Sequence, residues 1–187
     1  MLHIFKTPSY SGKNVHRYVE KLIRNGKEIL IVSPYIDCHY ASYLLRHSGG
    51  KRFYIISSSL DRGARRLLEK GRFPTGLLAS TILFAIADSL LYYLGLYLYA
   101  GLLSAIILLL AIATAFIAAK KPTNIMLKVP REFVHAKLYI SESEAIRGSA
   151  NLTYRGQHEN VEHVEVDYDK QEINRLRGQF WEMWRGA

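Results

Sequence analysis

The chain has 187 residues, room for one ordinary domain rather than two, and a formal net charge of +9. That cationic excess suits a surface that meets phosphate-bearing partners, either nucleic acid or anionic membrane. Its one cysteine, Cys38, excludes an intrachain disulfide and fits a reducing compartment.

In chain order, the opening "MLHIFKTPSY" lacks the long apolar core and small-residue cleavage site of a signal peptide. "NVHRYVEKLIRNG" carries Val15, Val19, Leu22 and Ile23 at helical spacing, with Gly26 as a stop. "EILIVS" is a short apolar run ended by Pro34, the pattern of a buried strand. Cys38, downstream of that run, is expected to be a buried bystander. "YASYLLRH" predicts a helix, "RFYIISSS" a strand and "LDRGARRLLEKG" a basic helix.

From Thr75 to Ala119 the only charged residue is Asp88. A membrane-spanning helix needs about 20 apolar residues, and this block holds two such lengths, joined at "LGLY". The two segments are apolar on every face, so the soluble remainder is too small to bury them as a core hairpin. A transmembrane hairpin is the expectation. Arg62, Arg65, Arg66, Lys70 and Arg72 precede it, and Lys120 and Lys121 follow it. The positive-inside rule then places both ends, with the soluble domain and both termini, in the cytoplasm. Tyr92, Tyr93, Tyr97 and Tyr99 gather at the far turn, as an aromatic belt would. Asp88 falls near that end, within reach of the outer interface or of the neighbouring helix.

Beyond the hairpin, "IMLKV", "VHAKLYI", "EAIRG" and "NVEHVEVDY" predict strands. "KQEINRLRGQFWEMW" predicts a helix with Ile173, Leu176, Phe180 and Trp184 on one stripe. Strands alternating with helices argue an α/β layered sheet. The hairpin is then an insertion, dividing the chain into a discontinuous domain of residues 1–74 and 120–187 and a hairpin of residues 75–119.

Strand periodicity in "VHAKLYI" puts His135, Lys137 and Tyr139 on one face. A lysine beside a histidine suits a phosphate: the ammonium meets a non-bridging oxygen, while neutral imidazole supplies a nucleophile or proton carrier near pH 7. "GSAN" adds a glycine turn, the Ser149 hydroxyl and the Asn151 carboxamide as further donors. Glu162 is placed to accept a hydrogen bond from the second ring nitrogen of His135. His3, His16, His39, His47, His158 and His163 form no metal-ligand pattern, and Asp37-Cys38-His39 is too isolated for zinc. No cofactor is expected.

The string His135-x-Lys137, Gly148-Ser149-x-Asn151, Asn160-x-Glu162 resembles the HKD motif of the phospholipase D superfamily. "ILIVSPYID" and "RFYIISSS" look like the first strands of that fold, so the resemblance reaches nearly all of the soluble chain. It departs at one place: the family's Asp, five residues after the Lys, is Glu142 here. In the family that acid is a structural turn residue, so Glu142 is expected to serve in the same way.

The resemblance implies an α/β fold, with a central mixed β-sheet flanked by helices, and a metal-independent phosphodiesterase. The family mechanism needs two His-x-Lys motifs and this chain has one, which implies a homodimer with a shared site. His135 of one chain would attack phosphorus to give a phosphohistidine, and the other would act as general acid and base. Lys137 and Asn151 would hold the non-bridging oxygens, with Ser149 assisting. Lys13, Arg17, Lys21, Arg24 and the cations of 62–72 would suit a nucleic-acid backbone. "HAKLYI" and "GSANLT" look more like the nuclease branches. The hairpin and its basic flanks fit a phospholipase or phosphatidyl transferase equally well. A membrane tether that binds nucleic acid or lipid without turnover is the reading of another class.

Overall fold

The computed structural model describes residues 7–71, 74–119 and 122–187. His3, Arg72, Lys120 and Lys121 lie outside the described residues. The chain divides into two compact units, Met1–Glu69 with Pro122–Ala187, and Lys70–Lys121.

In the first unit, β1 (Ser9–Gly12) is followed by α1 (His16–Asn25), β2 (Glu28–Val32), β3 (Tyr35–Ile36) and α2 (Cys38–Arg46). β4 (Arg52–Ile56), β5 (Ser59–Leu60) and α3 (Arg62–Lys70) come next. Asp37 caps α2 by accepting from the Tyr40 amide at 3.0 Å, and Asp61 accepts from the Ala64 and Cys38 amides at 2.6 and 2.8 Å. Cys38 therefore sits on the first turn of α2 and is exposed, not buried as its apolar upstream run suggested. That run ends at Ser33-Pro34, and the chain has turned outward before it reaches the thiol.

The second unit holds α4 (Thr75–Tyr93) and α5 (Tyr97–Ala119), two helices long and apolar enough to cross a membrane. Their outer faces are unburied; Leu83 is 64% and Phe116 75% exposed. Ser104 of α5 donates to Asp88 of α4 at 2.8 Å, the neighbour-helix bond considered for Asp88. Tyr92 and Tyr97 meet edge to face across the turn, at 5.2 Å between ring centres.

The chain returns through β6 (Ile125–Lys128), β7 (Leu138–Ile140) and β8 (Ala145–Gly148). A single π-helical turn (Arg155–Glu159), β9 (Glu162–Asp167) and α6 (Lys170–Gly186) complete it. Seven strands form one mixed sheet in the order β1-β9-β8-β7-β2-β4-β6. β2, β4 and β6 run parallel, while β7, β8, β9 and β1 pair antiparallel. Period-2 alternation splits the strand side chains between two cores. Ile29, Ile31, Phe53, Ile55 and Tyr139 face α1, α2 and α3, whereas Leu30, Val32, Ile56, Leu138 and Ile140 face Ile173, Leu176 and Phe180 of α6. The sheet is thus covered on both faces, as its largely continuous apolar strands require.

Candidate active site

Three chain segments meet where β2, β7 and β8 end. The first carries His135 and Lys137. The expected strand over "VHAKLYI" begins only at Leu138, because its partner β2 stops at Val32, opposite Leu138. Beyond it the Ser33 amide turns to the Ile56 carbonyl, and Pro34 has no N–H to offer. Residues 133–137 are therefore unpaired with β2 but not loose: the Val134 amide donates to Ser58 Oγ at 2.8 Å.

In this segment His135 is exposed, while Lys137 is only 9% exposed. Lys137 Nζ lies 3.2 and 3.1 Å from the two ring nitrogens of His135 and donates to the His135 carbonyl at 2.9 Å. Burial pushes the Lys137 ammonium below its ordinary value, and the Glu162 carboxylate opposes that shift. An ammonium held dry beside an open imidazole is arranged to meet an anion arriving from solvent.

The second segment is Gly148-Ser149-Ala150-Asn151. Gly148 lies so close to β9 that a Cβ there would come within 2.0 Å of the His163 carbonyl oxygen. Only glycine permits that approach, and through it the Ser149 amide donates to the His163 carbonyl at 2.9 Å. The Ser149 hydroxyl donates to Glu162 Oε2 and accepts from the His163 amide. Asn151 is held by its neighbours: its carbonyl accepts from Gln157 Nε2 at 3.0 Å, and a Cβ on Gly156 would press within 2.8 Å of that same oxygen. Tyr139 donates to the Ala150 carbonyl at 2.8 Å, and the Leu152 amide donates to Ser33 Oγ at 2.9 Å. With its backbone clamped, the Asn151 side chain keeps a buried Oδ1 that has no partner among the described residues.

The third segment brings Glu162, 9% exposed, whose Oε1 accepts from Asn160 Nδ2 at 3.1 Å. Both carboxylate oxygens are thus occupied by Ser149 and Asn160. The expected bond from His135 to Glu162 is not made among the described residues, because the imidazole lies on the Lys137 side and upstream of the strand. Glu142, in the place of the family's Asp, ties a turn: it accepts from the Lys27 amide at 3.1 Å and the Glu28 amide at 2.6 Å. Partial burial would raise its pKa, but these amides outweigh that and hold it below the usual carboxylate range.

Sequence reasoning missed Gln157 and Ser33, which clamp the Asn151 loop. Gln157 lies in a polar turn with no periodic signal, whereas Ser33, at the end of an apolar run before a proline, marked a strand terminus whose hydroxyl needed a partner.

A family model described as the phospholipase D-like domain of cardiolipin synthase matches residues 110–184. No curated protein matches the chain. Among solved structures, it resembles Nuc, a phospholipase D family member from Salmonella typhimurium, with 15% identity, TM-score 0.55, and 97% of this chain and 96% of that chain covered. NucT from Helicobacter pylori is similar at 12% identity and TM-score 0.56, with the same 97% and 96% covered. A phosphatidylserine synthase from Haemophilus influenzae aligns at 14% identity and TM-score 0.51, over 96% of this chain and 38% of that one. With its mixed sheet covered on both faces, the chain shares the fold of these structures, and the phospholipase D-like family match runs across its C-terminal strands.

Proposed function

We propose that the protein is a membrane-anchored phosphodiesterase that works through a phosphohistidine, with nucleic acid as its substrate. The observation that carries this reading is the pairing of an exposed His135 with a buried Lys137 ammonium at 3.1 Å, beside the Ser149–Glu162–Asn160 hydrogen-bonded chain. In the proposed mechanism a substrate phosphodiester docks with its non-bridging oxygens on Lys137 and Asn151. Ser149, fixed through Glu162, assists them. His135 attacks phosphorus, the ester bond to the leaving oxygen breaks, and a phosphoramidate forms. A second His135, from a partner chain across a two-fold axis, protonates the leaving alkoxide and then takes a proton from the water that breaks the phosphorus–nitrogen bond, releasing a phosphate monoester and the first imidazole. One HKD motif per chain requires that partner. Residues 1–74 with 120–187 form the catalytic domain in this reading. Residues 75–119 anchor it, with the domain and both termini in the cytoplasm.

Cleavage of nucleic acid is favoured by the fold shared with Nuc and NucT over nearly the full length of all three chains. A phosphatidyl transferase or phospholipase is the second reading, favoured by the family model's description and by the two long apolar helices. One experiment separates them: purified protein in detergent, with chelator present, is offered single-stranded DNA, RNA and phospholipid vesicles. Strand cleavage that persists in EDTA and falls by at least 10²- to 10⁴-fold in His135→Ala, the range for loss of general acid catalysis, is the expected result. Head-group release from vesicles with strands left intact selects the lipid enzyme. Binding without turnover, unchanged in His135→Ala, selects the tether.

A further inference from the structure

Exposed aromatic side chains lie within three residues of two candidate-site positions, His135 and Asn151. The first is Phe133, two residues before His135, which is 57% exposed and lies 6.2 Å from the His135 ring and 5.9 Å from Tyr35, itself 45% exposed. The Val134–Ser58 bond fixes this segment from beneath. The second is Tyr154, three residues after Asn151. Its amide donates to Asp37 Oδ2 at 2.5 Å, which holds the residue to the start of α2.

The Tyr154 ring caps a column of three. It stacks on His158 at 4.6 Å and 15°, and His158 stacks on His16 of α1 at 3.9 Å and 16°. His39 meets Tyr154 edge-on at 5.1 Å, and His158 Nε2 lies 3.3 Å from the Tyr40 hydroxyl. Tyr154 itself remains 44% exposed. The column is therefore preformed, with one ring open to solvent and its rotamer fixed from behind. Near His16 in sequence, Lys13 and Arg17 are exposed and join no ion pair among the described residues.

Planar faces set singly among cations fit nucleobases better than acyl chains, which want contiguous aliphatic surface. Base stacking on an aromatic ring is indifferent to sequence and needs an unpaired base, since in a duplex both faces are already occupied. We infer that Tyr154, on its histidine column, and Phe133, with Tyr35, are two base-stacking platforms that hold a single-stranded polynucleotide across His135. The inference rests on the nuclease reading and narrows it to unpaired strands.

The test uses the full chain in detergent, in the His135→Ala background so that strands stay intact. Fluorescence anisotropy compares a labelled oligothymidylate with an abasic strand of equal length and charge. The oligothymidylate should bind more tightly, and Tyr154→Leu should remove about 5- to 150-fold of that preference, the range for one stacked base. Tyr154→Phe should retain the preference, which separates stacking from misfolding, and Phe133→Leu should remove a second part of it. Equal binding of both strands, or equal weakening of both by Tyr154→Leu, overturns the platforms while leaving a nuclease in place. Failure to bind either strand, with binding to phosphatidylglycerol vesicles, overturns the nuclease reading and the platforms together.

Discussion

The two units solve the problem of polar atoms in opposite ways. In the sheet unit, side-chain hydrogen bonds cross long sequence separations: Thr7 to Asp167, Glu142 to Lys27 and Glu28, Ser33 to Leu152. In the hairpin, hydroxyls turn back on their own helix, Ser80 to the Gly76 carbonyl, Thr81 to Leu77, Ser89 to Ala85 and Thr114 to Leu110, at 2.7–2.9 Å. Only Ser104–Asp88 joins α4 to α5 by a side-chain hydrogen bond among the described residues. Position is specified in the sheet unit by particular partners. In the hairpin these hydroxyls are met by the helix that carries them, while Asp88 keeps one carboxylate oxygen without a partner among the described residues.

The bluntest way to break this contrast is to remove the hairpin. Replacing residues 75–119 by a short Gly/Ser linker, with a reach of about 5–6 Å × √n, should give a protein soluble without detergent. Its thermal midpoint should stay within a few degrees, because none of the candidate-site residues belongs to the removed segment. A linker variant that aggregates or unfolds, seen by size-exclusion chromatography and circular dichroism, would show that the units depend on one another.

A single methyl group should be felt next. Gly148→Ala places a carbon against the His163 carbonyl and must push β8 from β9, carrying Ser149 away from Glu162. We expect a cost of about 1–3 kcal/mol, as for other overpacked sites, and a fall in phosphodiesterase activity larger than the loss of folded protein explains. Gly101→Ala in the hairpin, where a Cβ meets nothing within 4 Å, should change neither. Equal effects of the two substitutions would erase the distinction.

The smallest effect should follow Glu142→Gln. The carboxylate is stabilised by two backbone amides and its pKa is lowered, so its contribution is complete above its ordinary value of 4.5 and is lost as pH falls through the lower folded value. Because the side chain is exposed, the difference in thermal midpoint should be a few degrees at neutral pH and should close below pH 4.5. A gap that persists in acid would mean that the charge is not what holds the turn.

Much of the sheet unit was legible because its strands announce themselves: "EILIV" and "RFYII" are apolar and β-branched, and Ile173, Leu176 and Phe180 repeat at helical spacing. β1, "SYSG", was not. Its residues are polar and exposed, and it exists as a strand because β9 offers an unpaired edge. The reading of His135 and Lys137 as strand residues failed for a similar reason in reverse. Their local pattern is β-like, but pairing depends on the partner, and Pro34 removes it. The π-helical turn at Arg155–Glu159 has no sequence signature; it follows from packing Gly156 and Gln157 onto the Asn151 backbone.

Synthesis of the chain imposes an order on this architecture. β2 and β4 emerge from the ribosome before the hairpin, yet their outer neighbours, β7 and β6, are encoded after it. His135, Lys137, Ser149, Asn151 and Glu162 all belong to that later half. The sheet cannot close, and the site cannot form, until α4 and α5 have been made, whereas an N-terminal domain of continuous sequence could fold as soon as it was exposed. A truncated product ending in the hairpin would carry the apolar helices and none of the candidate-site residues. Assembly of the candidate site therefore waits on synthesis of the inserted helices.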